Sequence, residues 1–403
     1  MKVLQINAVC NESSTGRNVK ESSRFLSNAG VQTLIATSVS DSSEGVYLIG
    51  TKLEKKIHAF FSRLFGKQAY YSNRGTSKLL KWIKKQKPNI VHLHNLHANY
   101  IHLNKLLDFL AQNDIPTVIT LHDCWFFTGK CTHYATVKCF KWETRCYDCP
   151  KLKEDHNSWF FDRTKKIWED RKKRFLAIPR LAVVGVSDWI TNEAKKSPMF
   201  KNAKSISRIY NWVDLEIFKP KKTDIVAKYN LPKNKFFILC ISAGWEEGSD
   251  RFKNLISLSK FIDESMHILL VGKVGVSVDI PPNITPIGYI KNLDELAEVY
   301  SGADAYVHLS YEDTFGKVIA ESLACGTPAV VYNSTACPEL ISNGCGMSVD
   351  IGNTEKMHQC LQQIKNKGKL HYQQVCRNRA EQLFSLNSSC AEYLNIYNNL
   401  QKE

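Results

Sequence analysis

Two carboxylates, Asp313 and Glu321, stand eight positions apart in the run DTFGKVIAES, between an apolar stretch at 305–309 and another at 329–332. If that run is helical, eight positions span about 12 Å along the axis, roughly the length of a diphosphate. Acids at that separation can hold hydroxyls at both ends of a nucleotide-sugar. They can equally be an N-capping Asp313 and a solvated Glu321. The loop 310–314 follows a strand-like run and enters a helix expected at 315–324, closed by Gly326. Backbone N–H groups at such a loop favour phosphate. A second candidate is His122, which with Asp123 ends the apolar run 116–121. At the carboxyl end of a strand a histidine is placed for ligand contact, or serves as a structural polar group. Gly16 lies in the polar stretch NESSTGR, expected as a loop at 11–17 before a helix at 19–29, where backbone amides can approach a phosphate. Four thiols, Cys131, Cys139, Cys146 and Cys149, fall within 19 residues with His133 between the first two. One pair has knuckle spacing, so a tetrahedral structural zinc site is open to them, as are reduced thiols or disulfides. Four thiolates leave no open position, which argues against a catalytic metal.

The run DTFGKVIAESLACGTPAVV resembles the acid-x7-acid signature of family 4 retaining glycosyltransferases, including the Gly after the aromatic and the Ala-Cys-Gly-Thr-Pro tail. The resemblance implies that the first acid, usually Glu and here Asp313, contacts the donor sugar, while Glu321 binds the ribose of the nucleotide. It places Thr314, Phe315 and Gly316 in the donor site. TLHDCWFFTG is similar to the family segment whose His reaches the donor sugar, which implies that role for His122. AGWEEGSDRFKNLISL matches the position that supplies basic contacts to the donor diphosphate. There the usual Gly-Arg is absent and residues 248–250 look inserted, so Lys253 fits the family Lys and Arg251 stands in for the missing Arg. Two cations facing a diphosphate stabilise a leaving group by charge-assisted hydrogen bonds; the alternative is a solvated pair. The loop at Gly16 matches a glycine-rich family loop facing donor and acceptor, of which only Gly16 survives. The Cys-rich insert is similar to one found in a subgroup linked to colanic-acid and capsule-type polysaccharides.

The elements that must position these groups alternate between strand-like and helical patterns in two successive sets. Such alternation predicts an α/β fold of two Rossmann-like doubly wound domains. The resemblance implies that they face a central cleft (GT-B). The expected division is residues 1–208 with the insert at about 124–150, completed by a C-terminal helix at 384–403, and a nucleotide-sugar domain at 209–383. SRIYNWVDLEIFKP at 207–220 resembles the family's interdomain segment, with Trp212 where a Gly is usual and Asn211 and Asp214 as turn-formers. Residues 51–87 read as basic helix interrupted near Gly66 and Gly75, and 157–176 as another. Aromatics beside lysines at 55–71 suit either an interfacial patch for a membrane-borne acceptor or ordinary packing.

At 403 residues, 43% hydrophobic and 23% charged, the chain suits two globular domains. No apolar run reaches the ~18 residues that span a bilayer, and the start MKVLQINAV reads as a strand and not as a signal peptide. The expectation is a cytosolic protein, in contact with the inner face of the plasma membrane. A net charge of +15 fits nucleic acid, anionic lipid or a phosphorylated substrate. No nucleic-acid motif accompanies it, so nucleic acid is not expected as a partner. Thirteen cysteines without a secretory signal argue against a disulfide framework. The resemblance thus implies a retaining enzyme that takes a nucleotide-sugar and a glycan or lipid-diphosphate-linked acceptor and needs no catalytic cofactor. A sugar-nucleotide epimerase of the same fold and a basic nucleic-acid-binding protein are the alternatives.

Overall fold

The computed structural model describes residues 1–11, 13–39, 45–275, 279–342 and 344–402; residue 12 of the expected 11–17 loop lies outside them. The chain divides into two compact units, Met1–Tyr210 with Asn387–Glu403, and Asn211–Leu386.

The first unit is built on seven parallel strands: β1 (Lys2–Ile6), β2 (Gln32–Thr37), β3 (Val46–Leu48), β4 (Ile90–Leu93), β5 (Thr117–Leu121), β6 (Leu181–Gly185) and β7 (Ser205–Arg208). Their spatial order is β3-β2-β1-β4-β5-β6-β7. β4, β5 and β6 are buried along their whole length, which is why their sequences run apolar instead of alternating. The second unit holds six parallel strands: β8 (Phe236–Trp245), β9 (Met266–Val274), β10 (Ile284–Gly288), β11 (Ala305–His308), β12 (Ala329–Tyr332) and β13 (Gly346–Val349). They are ordered β10-β9-β8-β11-β12-β13. In each sheet the strand order reverses once, between β1 and β4 and between β8 and β11. The carboxyl ends of strands flanking such a reversal are where open α/β sheets bind ligands, because the crossovers there leave in opposite directions and open a crevice.

The last helix, Leu386–Lys402, packs on the first sheet through buried tyrosines. Tyr397 shares a 2.7 Å hydrogen bond with His92 Nδ1, and Tyr393 one of 2.9 Å with the Thr120 hydroxyl. In the segment expected to join the domains, Asp214 Oδ1 accepts the backbone N–H groups of Glu216 and Ile217, at 3.0 and 3.1 Å, and so forms the expected turn.

Local structure departs from the sequence reading at Gly16, at Gly75 and before Thr164. The first helix is Ser13–Asn28, so the expected loop at 11–17 is mostly helix and Gly16 sits in its first turn. A Cβ on Gly16 would lie 3.1 Å from Val9 Cγ2 and 3.2 Å from the Asn11 nitrogen; the glycine lets the turn fold back against residues 9–11. Gly75 does not break a helix either. It lies inside Asn73–Gln86, donates its N–H to Glu54 Oε1 at 2.9 Å, and would carry a Cβ 2.9 Å from Gly50 Cα. Gly66, by contrast, closes Lys52–Phe65 in the left-handed conformation. The basic helix expected from 157 begins only at Thr164, whose N–H and hydroxyl are both taken by Asp162 Oδ1, at 2.8 and 2.6 Å. Among the described residues no helix is long and apolar enough to cross a membrane.

Candidate functional site

In the second unit the site forms at the reversal of strand order. Ser242 lies in β8 where its ladder with β9 shifts register between Ile241 and Gly244, and Ser310 follows the end of β11. Arg251, on the helix Asp250–Ser259 that Ser249 caps, reaches both: Nη1 donates to the Ser242 hydroxyl at 2.6 Å and Nη2 to the Ser310 hydroxyl at 3.4 Å. Asn254, one turn on, donates to the Tyr311 hydroxyl at 2.6 Å. The helix after β8 is thereby tied to the loop after β11. Lys253 points elsewhere: it is exposed, 3.9 Å from Asp250.

The loop itself is held by Asp313. Its Oδ1 accepts the backbone N–H groups of Phe315 and Gly316, at 3.1 and 2.7 Å, while Oδ2 lies 3.6 Å from His308 Nε2. Burial pushes this carboxyl up, but His308 and the two backbone donors outweigh it and hold it below the usual carboxylate range. The Asp313 N–H in turn donates to the Thr335 hydroxyl at 3.0 Å. Gly316 precedes the helix Lys317–Ala324 at φ 81°, a left-handed conformation that suits glycine. The helix therefore starts two residues later than expected, and Asp313 precedes it in the loop, as the sequence reading has it. Thr314 and Phe315 are buried, the Phe315 ring edge-on to Phe384 at 5.5 Å.

Glu321 is buried within that helix, at 3% exposure, and so is not the solvated surface acid that its type alone would suggest. The Tyr300 hydroxyl donates to its Oε2 at 3.2 Å. Burial, reinforced by the Glu321 charge, raises the Tyr300 hydroxyl well above its ordinary range, so it stays a donor at neutral pH. Arg251, Asp313, Thr314, Phe315 and Gly316 lie at this edge of the second unit, and Glu321 on the helix that leads from it.

In the first unit His122 directly follows β5 and is half-buried. Its Nε2 is 3.0 Å from His94 Nδ1, and the rings stack at 5.3 Å. His94 Nε2 is 3.0 Å from Gln5 Oε1, an acceptor that fixes the proton on Nε2. Burial, with His92 and His122 adding, holds His94 well below its ordinary range and so neutral. Its Nδ1 must then accept, His122 Nε2 must donate, and a neutral His122 ring presents Nδ1 as an acceptor. Asp123 does local work: Oδ2 is 2.9 Å from His97 Nε2 and Oδ1 accepts the Trp125 N–H at 2.8 Å. Gly16 lies in the helix that follows β1, at the same edge of the sheet as His122. In the insert, Cys131, Cys139, Cys146 and Cys149 are free thiols that line one small cavity.

Sequence reasoning missed His308, Ser242, Ser310 and Tyr300. The rule that singled out His122, a histidine ending a parallel strand, applies equally to His308 at the end of β11. The serines and Tyr300 carry no such signal, since their partners come from other elements.

The family described as Glycosyltransferase Family 4 matches residues 15–217, and that described as Glycosyl transferases group 1 matches 221–382. WcaC of Escherichia coli K12, a protein assigned to colanic acid biosynthesis as a glycosyl transferase, is 23% identical over 329 residues, 78% of this chain and 77% of that one. A glycosyltransferase structure from Rickettsia africae superposes with a TM-score of 0.69 at 17% identity, covering 100% of this chain and 99% of that one. The Anabaena protein HepE in complex with UDP-glucose gives 0.62 at 14% identity, covering 98% and 99%. The two doubly wound sheets are thus those of the GT-B fold, and with one family pattern spanning the first half of the chain and the other most of the second, the chain belongs to glycosyltransferase family 4.

Proposed function

We propose that this glycosyltransferase is a retaining enzyme that moves a hexose from a nucleotide-sugar to a glycan or lipid-diphosphate-linked acceptor in bacterial surface polysaccharide assembly. The observation that carries the reading is the fork of Arg251 between Ser242 and Ser310, the latter in the loop that Asp313 holds and that leads into the helix of the buried Glu321. A guanidinium fixed by two hydroxyls at the switch point keeps its remaining N–H groups for a diphosphate, where a bidentate cation is most effective. On this reading Arg251 stabilises the leaving diphosphate, with Lys253 a mobile second cation and the Lys317–Ala324 helix N-terminus assisting. Glu321 receives the ribose hydroxyls. Asp313, with Oδ1 committed to the backbone, uses Oδ2 for the donor sugar. His122 accepts a hydrogen bond from the sugar or the incoming hydroxyl through Nδ1, and Gly16 leaves room for backbone amides near the phosphates.

The bond from the anomeric carbon to the diphosphate breaks, the acceptor oxygen bonds to that carbon on the same face, and the acceptor proton passes to the departing phosphate. No side chain need become a covalent nucleophile. HepE is seen with UDP-glucose, and WcaC is assigned to colanic acid biosynthesis; both support a sugar nucleotide and a polysaccharide product. The net charge of +15 and the exposed Leu53, Phe60 and Phe65 on the basic helix Lys52–Phe65 support work at an anionic membrane face, the cytoplasmic side of the plasma membrane.

Thermal-shift screening with UDP-, GDP- and dTDP-sugars tests the donor. A ligand at 100 times its dissociation constant adds about 2.7 kcal/mol. One donor should stabilise the wild type and fail to stabilise Glu321→Ala. No shift with any donor would sink the site. Release of an altered nucleotide-sugar without an acceptor would make the protein an epimerase. Vesicles containing anionic lipid should retain the protein at low salt, and failure there removes the membrane part of the reading.

A further inference from the structure

The insert that follows β5 carries chemistry that sugar transfer does not use. Cys131, Cys139, Cys146 and Cys149 come together around one cavity although 18 residues separate the first from the last. Cys131 is buried and the other three are half-buried, and none is in a disulfide. Gly129, Lys130, Tyr134 and Trp142 complete the lining of the same cavity.

A backbone donor points at one of the sulfurs. The Gly129 N–H donates to Cys146 Sγ at 3.2 Å. A Cβ on Gly129 would fall 2.9 Å from Cys146 Cβ and 2.8 Å from Thr164, so only glycine brings that N–H to the sulfur. Outer N–H groups of this kind orient thiolate ligands and stabilise the negative charge they bring to a metal.

Two buried cations adjoin the same cavity. Lys130, 4% exposed and part of its lining, donates to the carbonyls of Lys151, Leu152 and Glu154 at 2.8, 2.9 and 3.1 Å. Arg171, 1% exposed, donates from Nη1 to the carbonyls of Trp125 and of Thr128, which lines the cavity. Its Nε and Nη2 are buried without hydrogen-bond partners. A buried guanidinium with no carboxylate paired to it is costly. Four thiolates around a divalent ion carry a net charge of about −2, which would answer both cations.

Among the described residues no three His, Cys, Asp or Glu side chains already form a ligand set. The thiols stand around the cavity as an open cage, and closing it on an ion, at sulfur distances of ~2.3 Å, takes movement of their side chains. We propose that Cys131, Cys139, Cys146 and Cys149 bind one structural zinc ion that staples the insert and fixes the loop beginning at His122. Sulfur donors with one Cys-x2-Cys pair suit zinc, the ion most often held by four thiolates in a closed tetrahedral site. Each thiol releases its proton to solvent as its bond to zinc forms; nothing is oxidised or reduced.

The test is elemental analysis of the full chain, purified under reducing conditions without added metal. About one zinc per chain is expected, falling by more than half in Cys139→Ser and in Cys149→Ser, while His133→Ala keeps it. Because the variants can unfold, cobalt exchange into the wild type gives a second reading: the absorption of tetrahedral cobalt–thiolate should appear and disappear on adding zinc. Less than about a tenth of an equivalent of zinc, together with no cobalt spectrum, overturns the proposal. So does iron with sulfide in place of zinc. An intact mass showing the loss of hydrogens by disulfide formation in protein handled without reductant, with no metal bound, overturns it equally.

Discussion

Replacing Glu321 by Gln separates nucleotide binding from folding. The carboxylate is buried, at 3% exposure, and its Oε2 accepts the Tyr300 hydroxyl at 3.2 Å. Gln keeps the shape and an acceptor for Tyr300, so at that contact the unliganded protein loses the difference between a charged and a neutral acceptor, about 1 kcal/mol. For a unit of this size that is a fall in Tm of about 2–4 °C. The ribose is affected more. Two hydroxyls donating to a carboxylate gain about 1.5–3 kcal/mol each, against about 0.5–1.5 each with a neutral amide. The difference is about 2–3 kcal/mol, so the dissociation constant of the nucleoside diphosphate should rise about 30- to 150-fold. Isothermal titration of UDP and GDP into wild type and Glu321→Gln, at fixed salt and neutral pH, measures it. An affinity within about twofold of wild type, in a variant that melts as expected, would show that Glu321 does not hold the ribose.

Other consequences follow from the same contacts. Arg251→Gln should lower kcat for transfer by about 10²- to 10³-fold, the scale for losing one preorganised donor to a developing anion. Lys253→Gln, at an exposed site, should cost less than tenfold; equal effects would contradict the assignment of Arg251 as the fixed cation. His58 and His92 are pushed down to about 3, chiefly by burial, from 6.5. The unfolded chain therefore takes up protons below about pH 6.5 that the folded chain refuses until about pH 3, so stability must fall on acidification from about pH 7 to about pH 5. A flat Tm across that range would contradict it. Tyr397→Phe strips buried His92 Nδ1 of its partner while Thr120 keeps Nε2, and should destabilise the chain by about 1–3 kcal/mol in urea unfolding.

The alternation of strand and helix was open to reading because parallel strands are buried on both faces. β6 shows as an unbroken apolar run, LAVVG, and Asp313 and Glu321 could be found on the segment between β11 and β12. What stayed hidden depended on partners distant in sequence. Nothing local to Gly16 says that its missing Cβ makes room for residues 9–11, so a polar stretch that folds as helix reads as loop. The helix between Asp313 and Glu321 is expected from residue 315, and it is the left-handed Gly316 that delays its start to Lys317. Arg251 and Lys253 are two residues apart and chemically alike, yet only Arg251 meets Ser242, in β8, and Ser310, in the loop after β11.

The most direct test of the central claim is the fate of the anomeric bond. The purified chain is incubated with the donor that stabilises it and with lipid-linked glycan acceptors, and the product is followed by NMR. The account predicts release of one nucleoside diphosphate per sugar transferred, with an α-linked donor giving an α-linked product and Arg251→Gln nearly silent. A β-linked product from that donor, or an altered nucleotide-sugar formed without acceptor, would contradict it.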